Sequence, residues 1–108
     1  MSTTTKHDGK FLAVVHPGAI LSDELEEVGI SARELARQIN VPANRITQII
    51  NEQRGITGDT ALRLGHWFGT GPQLWLNLQS TYELNLARKR AGKEVDKLPR
   101  LERSAVRA

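Results

Sequence analysis

The sequence contains no cysteine. Disulfide frameworks, thiol nucleophiles and cysteine-based zinc or iron–sulfur sites are thereby excluded, and nothing points to an oxidising compartment. No apolar stretch approaches the ~20 residues of a membrane span, so no membrane partner is expected. The three histidines, His7, His16 and His66, do not stand at metal-ligand spacing, and neither a metal nor another cofactor is expected. The opening MSTTTKHDGK has no hydrophobic stretch directly behind its charges, as a signal peptide would, which predicts a cytoplasmic protein. Gly69-Thr70-Gly71 lacks the lysine of a phosphate-binding loop and reads as a turn. Asp23, Glu24, Glu26 and Glu27 have no second ligand set for a divalent cation and read as a solvated helix face, one that a basic partner could use. His66 reads as a packing or surface histidine, and His16, abutting Pro17, as a helix cap. With no nucleophile, base or metal set, an enzyme is not expected.

What is present fits one small domain of 108 residues. Fifteen Lys and Arg against 12 Asp and Glu leave a net +3, which suggests an anionic partner. The excess is unevenly placed. Residues 88–108 hold eight basic and three acidic residues, a net +5, whereas residues 1–87 hold seven and nine, a net −2. The basic tail reads most simply as a solvated, partly disordered terminus, so evidence for nucleic-acid binding has to come from local pattern.

Along the chain, residues 1–14 read as a flexible lead, polar over Met1 to Gly9, and the short apolar run Lys10 to Val15 fits a strand or an extended segment. Pro17 suits a first helical position, and Ile20, Leu21, Leu25 and Val28 recur at helical spacing until Gly29 ends helix 1. Ser31 and Glu34 form an S-x-x-E capping box, in which each side chain is expected to bond the other's backbone N–H. Helix 2 follows with Leu35, Ala36 and Ile39 and turns at Asn40, a residue that tolerates the left-handed conformation. Helix 3 spans Pro42 to Asn51, so the connection has helix-turn-helix length. Thr57 caps helix 4, which runs through Ala61, Leu62, Leu64 and Phe68 to Gly69. Helix 5 starts at Pro72 and is expected to reach about Lys89; Gly92 and Pro99 then leave room for a short helix or an added strand. There is no internal repeat. The fold class is all-α, with five helices.

Helix 3 carries the chemistry. At about 100° per residue, Ile46, Ile49 and Ile50 share one stripe. Asn44, Gln48 and Asn51 share the opposite one, flanked by Arg45 and Thr47. Asn and Gln bond adenine bidentately, Arg bonds guanine, and a Thr methyl meets that of thymine. These five residues are the candidate base readers; an ordinary polar surface helix would mix Glu and Lys more freely. Ser31, Arg33, Arg37 and Arg54 are the candidate phosphate contacts, and each Arg also fits simple solvent exposure. From Ser31 to Arg54 four Arg stand against two Glu. Helix 5 places Leu74, Trp75, Leu78 and Tyr82 on one face and Leu76, Leu84 and Ala87 on another. The second set predicts a homodimer, with the remaining chain as the other possible cover. A symmetric pair of helices 3 about 34 Å apart would meet two half-sites one DNA turn apart.

Pro42-Ala43-Asn44-Arg45-Ile46, Thr57 to Leu64 (TGDTALRL), Phe68-Gly69-Thr70 and Trp75 to Gln79 (WLNLQ) resemble the HigA-type, or VapI-type, antitoxins of the Xre helix-turn-helix group. His16 to Leu21 (HPGAIL) resembles the group's opening motif, with Ala19 where the group usually has an acid. The resemblance covers about Val15 to Arg90. It implies a lambda-repressor-like domain over residues 15–90, which leaves 91–108 as the basic tail read from the charges. It also implies a bacterial repressor that binds double-stranded operator DNA in its own promoter. The co-encoded partner would be a HigB-like toxin, commonly a ribosome-dependent mRNA endonuclease related to RelE. A solitary Xre-family regulator and a protein-interaction module with weak DNA binding stand as the alternative readings.

Overall fold

A computed structural model of the protein describes residues 14–102. Five helices follow one another: α1 Pro17–Val28, α2 Ala32–Gln38, α3 Ala43–Ile50, α4 Gly58–Phe68 and α5 Pro72–Asp96. Of the apolar run at 10–15, residues 10–13 lie outside the described residues, as do His7, Arg103 and Arg107; Val14 and Val15 are irregular. The described residues contain no strand.

Each boundary has a local cause. His16 caps α1, its Nδ1 accepting the Gly18 N–H at 2.9 Å, and the helix ends at Gly29 with φ 80°. Ser31 Oγ accepts the Glu34 N–H at 3.0 Å. The reciprocal half of the expected capping box is not made: the Glu34 carboxylate is held by Arg37 Nε at 3.0 Å and Gln38 Nε2 at 2.8 Å. A cationic guanidinium and a side-chain amide one turn ahead offer a carboxylate more than a single neutral N–H behind it. Asn40 takes the left-handed conformation at φ 60°, and the Val41 N–H returns to the Ala36 carbonyl at 3.0 Å. Thr57 Oγ1 caps α4 through the Thr60 N–H, and Gly69 ends it at φ 77°.

The longest helix departs from expectation. α5 continues past Lys89 and through Gly92 to Asp96. One glycine costs roughly 1 kcal/mol relative to alanine in a helix, which the neighbouring Ala91, Lys93 and Glu94 tolerate as good helix formers. Pro99, two residues beyond the cap at Lys97, stands where a helix commonly stops.

The core is built where these helices cross. α2 packs on α3, α1 on α3 and α5, and α4 along α5. Leu21, Leu35, Ile46, Ile49, Ala61 and Leu64 are fully buried around Trp75. The Trp75 ring lies 5.3 Å from Phe68, and its Nε1 donates to Thr70 Oγ1 at 3.2 Å. The buried His16 meets Tyr82 edge-on at 4.8 Å, which fixes the start of α1 against α5. Two leucines exchange their expected places: Leu76 packs against the core, while Leu74 is 42% exposed. Val28 and Leu62, both included in helical apolar sets, are also exposed. A wheel gives the angle of a residue but not the direction from which its neighbours arrive.

Candidate nucleic-acid interface

The position of α3 is set by its buried face. Ile46 and Ile49 are inaccessible to solvent, and Gly18 of α1 approaches the Ile49 carbonyl so closely that a Cβ there would lie 1.8 Å from its oxygen. The opposite face is thereby turned outward. Asn44 and Asn51 are exposed and Gln48 half-buried, all three on that outer stripe. Thr47 is exposed, and its Oγ1 turns back toward the carbonyls of Ala43 and Asn44, each at 3.4 Å. With the hydroxyl occupied along the helix, the methyl is its other group.

Arg45 occupies the flank toward α4 and is engaged there. Its Nη1 donates to Asp59 Oδ2 at 2.6 Å, and its side chain is only 27% exposed. Arg63 reaches the same oxygen through Nε at 3.0 Å. Hydrogen bonds from Arg63 and then Arg45 hold the Asp59 carboxyl below its ordinary range. Sequence reading did not single out Asp59 or Arg63. Their four-residue spacing on one helix was a usable signal; the link from Asp59 to Arg45 was not, because it joins two helices.

Ser31, Arg33 and Arg37 come together along a cleft of about 390 Å³ that also takes in Ala43, at the start of α3. Arg33 is exposed, whereas Arg37 is paired with Glu34, which draws the Glu34 carboxyl down to about 2 through hydrogen bonds from Arg37 and then Gln38. Arg54 is exposed in the loop beyond the other end of α3. That loop contains Glu52 at φ 63°, a left-handed non-glycine that its residue type did not announce. It is fastened by Gln79 of α5, whose Oε1 accepts the Ile56 N–H at 2.7 Å. Trp67 Nε1 similarly ties α4 to Gln38 Oε1 at 2.8 Å.

Two short helices joined by a tight turn, with the second presenting amides outward from a buried isoleucine stripe, define a helix-turn-helix domain. The family model described as Helix-turn-helix matches residues 21–75. Virulence-associated protein I of Dichelobacter nodosus is 49% identical over 77 residues, covering 70% of this chain and 71% of that protein. An addiction module antidote protein of the HigA family from Coxiella burnetii aligns with a TM-score of 0.79 at 46% identity, over 82% of this chain and 98% of its own. The Pseudomonas aeruginosa antitoxin HigA, solved with the higBA promoter, aligns with a TM-score of 0.78 at 44% identity, over 83% and 100%. The chain belongs to the helix-turn-helix family of DNA-binding regulators, in the group of HigA antitoxins and VapI-like proteins. That group is not a known enzyme family. No helix among the described residues is long and apolar enough to cross a membrane.

Proposed function

We propose that this protein is a cytoplasmic, homodimeric antitoxin that binds operator DNA in its own promoter, represses the operon and neutralises a HigB-like, RelE-related mRNA-cleaving toxin. The outward amide stripe of α3 carries this reading. Asn44, Gln48 and Asn51 read base edges in the major groove, the Thr47 methyl meets a thymine, and Arg45 supplies guanidinium donors at the flank. Ser31, Arg33, Arg37 and Arg54 set the register on phosphates from both ends of α3. Support comes from relatives: the Pseudomonas HigA was solved with promoter DNA, and a Vibrio cholerae protein named antitoxin HigA-1 is 33% identical over 81 residues.

The dimer is assigned to α5, which continues past the 15–90 boundary and takes residues 91–96 of the expected tail into the helix. Leu84, Ala87, Ala91 and Val95 recur at intervals of three and four on the side of α5 away from Trp75, and Leu84 and Val95 are 52% and 57% exposed. Leu76, also expected at the interface, is half-buried against the core.

Operator binding of single variants tests the assignment. Gln48→Ala should cost about 1–3 kcal/mol and relax preference at one operator position, whereas Arg33→Ala should weaken operator and random DNA equally. Equal losses on both DNAs for both variants overturn the division into readers and positioners. Co-expression with the neighbouring reading frame separates an antitoxin, which co-purifies with a small basic partner, from a solitary regulator. An absent shift of the operon's promoter leaves the interaction module.

A further inference from the structure

Arg45 and Arg63 share a single carboxylate oxygen, and the three side chains connect every part of the helix-turn-helix. Asp59 Oδ2 takes Arg45 Nη1 from α3 at 2.6 Å and Arg63 Nε from its own helix at 3.0 Å. Arg63 Nη1 goes on to the Ile39 carbonyl at 2.9 Å, immediately before the left-handed Asn40 that forms the turn. A carboxylate on the first turn of α4 is thus coupled to the recognition helix and, through Arg63, to the turn that launches it.

Only Nη1 of Arg45 is used in this way. Its Nε and Nη2 donors make no hydrogen bond among the described residues, and they belong to a planar group that the Asp59 bond restrains. A free arginine carries large rotamer entropy, and ordering such a side chain costs binding free energy that a pre-ordered one does not lose again. Fixed donors also reject a mismatched base that a mobile guanidinium would accommodate by rotating.

Resting on the operator-binding reading, we propose that Asp59 is a specificity-determining residue: it positions Arg45 so that the free edge of its guanidinium meets DNA in one orientation. Asp59 itself touches no base in this role. Its effect on the preference for operator over random DNA passes through Arg45, whereas its bond to Arg63, which goes on to Ile39, supports the seating of α4 against the turn on any DNA.

A double-mutant cycle on the full chain reads this directly. Asp59→Asn preserves shape and removes the charge; it should lower the ratio of operator to random-DNA affinity by roughly three- to ten-fold, the cost of ordering one arginine. In an Arg45→Ala background the same substitution should leave the ratio unchanged. An equal fall in both backgrounds, or none in either, overturns the proposal, and a fall in both would mark Asp59 as a general support of the domain. Nitrogen-15 NMR of the Arg45 guanidinium in the DNA-free protein supplies a readout independent of binding. Hindered rotation in the wild type and its loss in Asp59→Asn are expected. Free rotation in the wild type overturns the inference whatever the DNA data show. Hindered rotation in a wild type that does not prefer its operator overturns the operator reading instead, and with it the role given to Asp59.

Discussion

Replacing Gly18 by alanine adds one methyl where α1 crosses the backbone of α3. The new Cβ would lie 1.8 Å from the Ile49 carbonyl oxygen and 2.8 Å from its carbon, whereas ordinary contact begins near 3.4 Å, so α1 and α3 must part by about 1.6 Å. Both obstacles are backbone, so no side-chain rotation relieves them. Overpacking of this kind costs typically 1–3 kcal/mol, and the rigidity of the obstacle places this case near 3. Alanine returns up to about 1 kcal/mol of helix propensity. The net loss is about 2 kcal/mol, or a Tm lowered by roughly 8–16 °C in a domain of this size. The same Ile49 carbonyl accepts the Glu52 N–H at 3.0 Å, so displacement reaches the end of the recognition helix, and operator affinity should fall too. Thermal unfolding followed by circular dichroism, with a gel shift on operator DNA, measures both. A Gly18→Ala protein that melts within about 2 °C of wild type would show that the α1–α3 approach is not a constraint, and the account of how α3 is seated would fail.

Three further outcomes follow from other contacts. Gln79→Ala removes the acceptor of the Ile56 N–H and should destabilise the domain by about 1–3 kcal/mol in urea unfolding; an unchanged midpoint would mean that water replaces the amide at no cost. Glu34 should titrate near 2 by carbon-13 NMR, against an ordinary 4.5, and return to the ordinary range in Arg37→Ala with Gln38→Ala. Because its folded pKa is depressed, its contribution to stability is present above pH 4.5 and lost as pH falls toward 2; a wild-type midpoint near 4.5 refutes the pairing. Leu84→Glu together with Val95→Glu should shift light-scattering mass from dimer to monomer without lowering helix content, and a protein that stays dimeric places its interface elsewhere.

Most of the helical layout was readable because its signals are local. Pro17, Ser31, Asn40, Thr57, Gly69 and Pro72 mark ends through φ preference or a capping oxygen, effects that act within three or four residues of chain. The amide stripe of α3 was equally legible, since a helix fixes which side chains share a face. Continuation of α5 through Gly92 was not legible, because one glycine penalty of roughly 1 kcal/mol is tolerated when a run of good helix formers lies on both sides. The partner of Glu34 was not legible, because two side-chain donors compete with the Ser31 N–H for its carboxylate and pattern alone does not rank them.

By itself, then, the sequence determined five helices, the tight turn between the second and third, and the set of side chains that face outward from the third. Tertiary structure decided which of those side chains are already engaged. Asp59 and Arg45 are 14 positions apart, Trp67 and Gln38 are 29 apart, and Gln79 and Ile56 are 23 apart. No periodicity along the chain spans such separations. These pairs meet only because buried isoleucines, Trp75 and the bare backbone of Gly18 bring the helices to particular distances and angles.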